Sequence, residues 1–207
     1  MRVPAFTTDT RPVLSNLFRL LDVLAALTIM ALSSPLWLLA FVGIKLTMPG
    51  PVLYSQERVG KDEKTYTIYK FRSMRVDAEK LSGPVQSSGS GDPRVTPFGR
   101  FMRRTRIDEL PQLWNVLVGD MSFVGPRPER PNFVAEYKRE IPFYGLRFQI
   151  KPGLTGWAQV GYRYGNTVND TRVKLSYDLY YVQERSIPLF ALILLKTVTT
   201  VLFKPGS

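Results

Sequence analysis

Arg103-Arg104-Thr105-Arg106-Ile107-Asp108-Glu109-Leu110-Pro111-Gln112 sets three arginines within six residues of an adjacent Asp-Glu pair. Guanidinium forks hold phosphate oxygens. An ionised carboxylate can act as a nucleophile, and carboxylate oxygens suit Mg2+ bridged to substrate phosphates. The run is therefore equipped to handle a polyphosphate with a divalent metal. The chain has no His and no Cys, which removes Ser-His-Asp machinery and the commonest zinc ligands. Chemistry falls to carboxylates, Lys, Arg, Tyr, hydroxyls or a bound metal. Leu110, Leu113, Trp114 and Leu117 follow the spacing of one helix face, with Pro111 tolerated in the first turn and Gly119 as the stop. Asp108 then falls near the N-cap and Glu109 in the first turn. There the helix dipole, aided by Arg103 and Arg106, lowers a carboxylate's pKa and attracts phosphate. The same placement also reads as structural, with Asp108 a cap and Glu109 a dipole residue.

Other residues could complete such a site. In the segment Lys64 to Arg72, alternation puts Tyr66, Ile68, Lys70 and Arg72 on one strand face. Lys70 and Arg72 could meet one anion there, or form a solvated basic edge. Gly125-Pro126-Arg127-Pro128 holds Arg127 between two prolines, as a fixed clamp on phosphate or as an ordinary Pro-rich turn. Lys151-Pro152-Gly153-Leu154-Thr155-Gly156-Trp157 is a further turn, whose glycines would let backbone approach a ligand closely.

The elements that position these residues divide into an apolar segment and a basic remainder. At 207 residues the chain can bury one sizeable core. Its 28 Lys and Arg against 17 Asp and Glu give a net charge of +11, which points to phosphorylated ligands, acidic lipid or nucleic acid, or simply to solubility. Val23 to Ile44 runs 22 residues without a charge, long enough for a transmembrane helix, and it lacks the form of a cleaved signal peptide. Ser33-Ser34-Pro35 interrupts it. Pro35 has no N–H for the Ala31 carbonyl and crowds it, so a kink is expected, with the serine hydroxyls satisfying freed carbonyls. Arg2, Arg11 and Arg19 precede the segment and Lys45, Arg58, Lys61 and Lys64 follow it. Positive charge on both flanks leaves the orientation rule undecided. A helix that breaks and returns to the same leaflet, a kinked span and a buried soluble helix are all consistent with these residues.

Beyond the break at Pro49-Gly50-Pro51, Val52 to Glu57 and Lys64 to Arg72 read as a β-hairpin around Val59-Gly60-Lys61-Asp62. Ser82 to Gly91 reads as a mobile loop or lid. Pro97 to Arg104 reads as a short basic helix. Ile187 to Phe203 reads as a helix lying at a membrane interface or packed on the first apolar segment.

Taken in order, these pieces resemble the bacterial sugar transferase family, the monotopic phosphoglycosyl transferases. The resemblance rests on Arg19-x-x-Asp22, Ser34-Pro35, Pro49-Gly50-Pro51-Val52, Arg58-Val59-Gly60, Tyr69-Lys70-Phe71-Arg72-Ser73-Met74, Asp108-Glu109-Leu110-Pro111-Gln112 and Asn115-Val116-Leu117. It continues through Gly119-Asp120-Met121-Ser122-Phe123-Val124-Gly125-Pro126-Arg127-Pro128-Glu129, Lys151 to Gln159 and Tyr180-Tyr181-Val182. It covers nearly the whole chain. It implies an α+β, mainly helical monotopic membrane protein, with a re-entrant helix over 13–47 broken at Ser34 and Pro35. A catalytic region over 48–207 would follow, with a small β-hairpin and an interfacial helix at about 187–203, the whole forming a single catalytic domain over 1–207. It also implies a cytosolic active site on the bacterial inner membrane. Asp108 would attack the β-phosphate of a UDP-sugar and expel UMP, and Glu109 would position Mg2+. The aspartyl phosphosugar would pass to a polyprenyl phosphate, typically undecaprenyl phosphate, in a ping-pong reaction that begins glycoconjugate assembly. Lys70, Arg72, Arg103, Arg127, Pro128 and Arg163 fall in the motifs expected to bind substrate. Membrane lipid is the implied environment, nucleic acid is not a partner, and a homo-oligomer is compatible with the resemblance.

The chain departs from the family pattern at Val160 to Asn166, where Arg163 stands outside the usual Asn-Gly-Arg-Asn run, and at Phe18, Pro188 and Phe190. Beginning almost at the apolar segment, it reads as a small-type member or an isolated catalytic domain. A membrane-anchored basic module for anionic lipid or nucleic acid, a metal-dependent phosphodiesterase and a membrane scaffold are the competing readings.

Pro35→Ala is expected to push the apolar segment towards a true span. Single cysteines introduced between Arg2 and Arg11 should then react from the far side of the membrane. Retention on the cytosolic side in that variant would refute the expectation.

Overall fold

The computed structural model describes residues 12–78, 83, 91–162, 165 and 167–203. Arg163, Arg2, Arg11 and most of Ser82–Gly91 lie outside the described residues. The architecture is α+β and mainly helical. Two helices open it, α1 (Pro12–Leu32) and α2 (Ser34–Thr47). The break between them falls at Ser33, whose hydroxyl donates to the Met30 carbonyl at 3.5 Å and accepts from the Trp37 indole at 3.2 Å. The serine thus serves Met30 rather than the expected Ala31, because Ser33 ends α1 and the Pro35 ring starts the next helix. The stretch Val13–Leu32 is long and apolar enough to cross a membrane by length and composition. Leu17, Leu20, Leu24 and Leu27 on α1, with Leu38, Phe41 and Leu46 on α2, are exposed. So large an apolar surface marks contact with lipid or protein.

The hairpin forms as expected. Strands β1 (Leu53–Val59) and β2 (Thr65–Phe71) pair antiparallel, Leu53 opposite Phe71 and Val59 opposite Thr65. Helix α3 (Pro97–Arg104) is capped by Thr96, which accepts from the Gly99 N–H at 3.0 Å. After a short 3-10 turn comes α4 (Gln112–Val118), ended by Gly119 in the left-handed region at φ 98°. The buried face of α4 is Leu113, Asn115 and Val116, whereas Trp114 is 53% exposed. Of the face expected from the sequence, Leu113 is buried and Leu110 and Leu117 pack against the core, so only Trp114 departs from it.

Two short parallel strands, β3 (Ser122–Val124) and β4 (Gly153–Thr155), carry the turns that flank the site. Between them lie α5 (Pro131–Glu140) and a 3-10 stretch over Tyr144–Gln149. The last helices are α6 (Trp157–Gly161), α7 (Val168–Glu184) and α8 (Ile187–Phe203). Helix α7 begins with a capping box between Thr167 and Asp170.

Three apolar clusters hold these elements. Phe18 of α1, Ile68 of β2, Leu113 and Val116 of α4, Tyr181 of α7 and Ile193 of α8 share the largest. Ile44 of α2, Phe71, Met102 of α3 and Ile107 form a second, which seats the turn holding Asp108 against the end of α2. Val59, Tyr137, Tyr144, Phe148 and Leu175 form the third.

Asn115, fully buried, joins β2 to α4. Its amide donates to the Thr67 carbonyl at 2.7 Å and its carbonyl accepts from the Tyr69 N–H at 3.2 Å. Asn115→Ala leaves both backbone groups without these partners, so a stability loss of about 1–3 kcal/mol is expected by chemical denaturation. An unfolding curve superimposable on the wild type would contradict this role.

Candidate active site

Asp108 and Glu109 sit in the 3-10 turn Ile107–Glu109, not at the start of a helix. The N-cap of α4 is Pro111, without a side-chain cap. Arg106 adopts the left-handed region at φ 60°, uncommon for a residue with a Cβ. That turn lets the chain leave α3 and direct Ile107 into the core below the site. Asp108 is consequently buried at 6% exposure, and its Oδ1 has no hydrogen-bond partner.

Glu109 is ringed by cations from three segments. Lys70 Nζ on β2 is 3.0 Å from Oε1, Arg127 Nη2 is 3.7 Å from the same oxygen, and Arg106 Nη1 is 3.9 Å from Oε2. Burial alone would raise the Glu109 pKa. Lys70, Arg127 and Arg106 outweigh it and hold the carboxyl well below the usual range. Asp108 goes the other way. Burial and then the Glu109 charge raise it, with Lys70, Arg103 and Arg106 pulling only partly back. The helix-dipole expectation of a lowered Asp108 pKa is therefore corrected. The residue is buried before the helix begins, so desolvation and its neighbour dominate.

Arg103 lies close enough to attract both carboxylates and is fixed by its Nε, which donates to Ser73 Oγ at 2.9 Å. Arg127 is half-exposed. Pro128 is buried, and its carbonyl accepts from Arg58 Nη1 at 3.1 Å. Arg72 is placed elsewhere. β2 ends at Phe71, and the Arg72 guanidinium donates to the carbonyls of Met48 and Pro49, both at 2.8 Å, fastening the end of α2. The shared strand face thus holds through Lys70 and is lost one residue past the strand. Arg163 lies outside the described residues.

The sequence did not single out Arg147. It is buried, pairs with Asp178 of α7 at 2.7 Å, and donates to the Arg127 carbonyl at 2.8 Å. A spacing of 31 residues between Arg147 and Asp178 gives no local signal. The turn bearing Arg127 is also locked from below. The Gly125 N–H donates to the Thr155 carbonyl at 2.9 Å and the Gly153 N–H to the Pro126 carbonyl at 3.0 Å. A Cβ on Gly125 would stand 2.4 Å from the Lys151 carbonyl. In the Lys151–Trp157 turn a Cβ on Gly153 would stand 2.1 Å from the Gly125 nitrogen and one on Gly156 2.2 Å from the Gly125 carbonyl oxygen, so these glycines admit the turn that bears Arg127.

Among the described residues no group of three His, Cys, Asp or Glu side chains is poised to hold a metal. Asp108 Oδ1, without a hydrogen-bond partner, and the Glu109 carboxylate are oxygen donors on adjacent residues. Two carboxylates completed by substrate phosphate and water suit Mg2+, which rarely takes an all-protein cage.

The sequence that carries this carboxylate pair and these apolar helices matches a known family. The chain belongs to the bacterial sugar transferase family, whose pattern matches residues 14–204. It is 48% identical over 95% of its length to a UDP-N-acetylgalactosamine-undecaprenyl-phosphate N-acetylgalactosaminephosphotransferase of Aeromonas hydrophila, covering 46% of that protein. It is 41% identical over 89% of its length to a UDP-glucose:undecaprenyl-phosphate glucose-1-phosphate transferase of Escherichia coli (strain K12), covering 40% of it. An exopolysaccharide production protein of Rhizobium leguminosarum bv. phaseoli is 41% identical over 88% of the chain and is covered over 93% of its own length. The chain therefore spans less than half of the first two relatives and most of the third.

Lys70→Met removes the nearest counter-charge, so carboxyl titrations of both Asp108 and Glu109 should move to higher pH. Carbon NMR of labelled carboxyls would read this. Unmoved titrations would show that the 3.0 Å pair does not operate in solution.

Proposed function

We propose that the chain transfers a sugar 1-phosphate from a UDP-sugar to a polyprenyl phosphate, undecaprenyl phosphate by analogy with its named relatives. The observation that carries this reading is the buried Asp108-Glu109 pair, enclosed by Lys70, Arg103, Arg106 and Arg127 in a member of this family. An Asp108 carboxylate oxygen attacks the β-phosphorus of the donor. The bond from that phosphorus to the oxygen bridging to the α-phosphate breaks, and UMP leaves with the bridging oxygen. A phosphate oxygen of the polyprenyl phosphate then attacks the same phosphorus. The acyl-phosphate P–O bond breaks, the Asp108 carboxylate returns, and polyprenyl-diphosphate-sugar leaves. One site thus serves two phosphorylated substrates in turn.

The basic side chains supply position and charge stabilisation, which is most of what phosphoryl transfer needs. Arg127, half-exposed at the rim, is suited to meet the diphosphate first, and Arg103 to steady charge beside Asp108. Glu109 is kept ionised by its three cations and is the residue to hold Mg2+ with substrate oxygens. Mg2+ there would offset the diphosphate charge. Arg72 acts indirectly in this reading, by holding the end of α2 at the site.

The membrane arrangement proposed is monotopic, with α1 and α2 entering and leaving the cytosolic leaflet of the inner membrane. Both roots of this helix pair attach to the same body. Arg19 near the base of α1 donates to the Val116 and Leu117 carbonyls of α4, and Arg72 grips Met48 and Pro49 at the end of α2. From either root to Ser33 is about 20 Å of helix, against roughly 30 Å of hydrocarbon. Exposed Leu192, Leu195 and Val198 on α8 support an interfacial position for that helix. In this reading residues 1–207 act as one catalytic unit.

UMP release is measured with Mg2+, a polyprenyl phosphate and a panel of UDP-hexoses. It is expected to need both substrates, to vanish in Asp108→Asn and to fall severely in Glu109→Gln with the fold retained. Phosphosugar should be trapped on Asp108 and exchange with UMP. Near-wild-type turnover in Asp108→Asn would sink the nucleophile assignment. A membrane-bound basic module would instead keep its anion affinity in that variant and release no UMP.

A further inference from the structure

A second basic cleft of about 250 Å3 lies at the opposite end of α4 from Asp108. Arg19, Lys61, Lys151 and Arg185 line it, with Asp22 as its one carboxylate. These residues come from α1, the hairpin loop, the turn before β4 and the link between α7 and α8. No short sequence pattern joins them. The seven residues of α4 put about 10 Å of helix between this cleft and the catalytic turn.

Arg19 is taken up by the Val116 and Leu117 carbonyls and Arg185 lies over the Phe18 ring, which leaves the two lysines as the cations to consider. Lys151 Nζ stands 3.2 Å, and Arg19 Cζ 3.7 Å, from where a Cβ on Gly119 would be. Burial, and then Arg19, lower the Lys151 pKa. Neither Lys61 nor Lys151 has a carboxylate within ion-pair distance among the described residues. Asp22 is the opposing charge for Arg19, Arg185 and Lys151, one carboxylate against four cations, and its Oδ1 accepts from Ser122 Oγ at 3.1 Å and from the Phe123 N–H at 2.9 Å. Cations held together at a half-buried site favour an anion that can meet several of them. Phosphate oxygens do this, and a lysine serves them as a point charge without needing planar geometry.

We propose that this cleft is a second anion site, taking the phosphate group of a phosphate ester and distinct from the Asp108 centre. Ser15, Asn16, Arg19 and Asp22 present the polar side of α1 to it, while Leu17, Leu20 and Leu24 lie exposed on another side of the same helix. An amphiphile could therefore seat its phosphate among the cations with its chains towards the apolar side. A bilayer headgroup is the source if α1 enters the leaflet, a step that rests on the membrane reading above. A soluble phosphate ester offers the same chemistry to the cleft.

The test titrates the whole chain, in zwitterionic micelles, with short-chain phosphatidic acid and separately with glycerol 3-phosphate, read by calorimetry. Wild type should bind. Lys61→Ala combined with Lys151→Ala should weaken binding about tenfold or more. Lys61→Glu changes only an exposed side chain and should also weaken it. Asp108→Asn should bind as wild type does while losing turnover, which separates this proposal from the catalytic one. Preference for phosphatidic acid would assign the site to bilayer lipid, and equal binding of both probes would assign it to a soluble ester. The proposal is overturned if both lysine variants bind like the wild type, or if Asp108→Asn abolishes binding.

Discussion

Two adjacent carboxylates lie buried at Asp108 and Glu109, and a buried double negative charge is affordable only when cations meet it. Here they are delivered from separate segments. Lys70 comes from the end of β2, Arg103 and Arg106 from the end of α3, and Arg127 from the turn after β3. Each must arrive within a few ångströms of the same place. The balance is uneven, because most of the cations crowd Glu109 and leave Asp108 raised. Opposed shifts in two neighbouring carboxyls are the pattern expected of an acid pair set for different tasks, and they motivate the roles proposed for them.

Much of the remaining architecture meets this requirement. Ile107 packs with Ile44, Phe71 and Met102, so the turn bearing Asp108 and Glu109 rests on α2, β2 and α3 together. Asn115 binds the backbone of β2 to α4 and so fixes Lys70 relative to the turn before α4. The turn carrying Arg127 is held by the Arg147–Asp178 pair from one side and by Gly125 against Gly153 from another. Rigidity of this kind is what the proposed phosphoryl transfer would need, because its rate follows position.

The apolar helices answer a different constraint. Their exposed leucines call for a nonaqueous neighbour, yet both ends of the pair are fastened to the polar body, through Arg19 at one root and Arg72 at the other. Arg72 therefore ties the end of β2 to the end of the apolar helix pair. A guanidinium is suited to this work, since its fork satisfies two helix-end carbonyls at once.

Local chemistry was legible in the sequence wherever one residue type dictates one local outcome. The hairpin was readable from β-branched and aromatic alternation, α3 as a short basic run from Pro97, α8 from its apolar run, and the break between α1 and α2 from Pro35. The Asp-Glu pair and its neighbouring arginines were visible as a cluster because they are contiguous. The start of α4 was misplaced, since apolar period cannot distinguish a 3-10 turn from the first turn of a helix. Leu110, Leu113 and Leu117 still pack on the core, but Trp114 is exposed, and Asp108, buried in the turn before the helix, is raised where a lowered pKa was expected. The strands β3 and β4 have three residues each and carry no usable alternation. Arg147 with Asp178, Arg72 with Met48, and the cations of the second cleft are brought together across long stretches of chain. Sequence determined which charges were available and where the backbone had to turn. Only tertiary packing decided which charges are desolvated and which partners they meet, because both depend on residues that are distant in the chain.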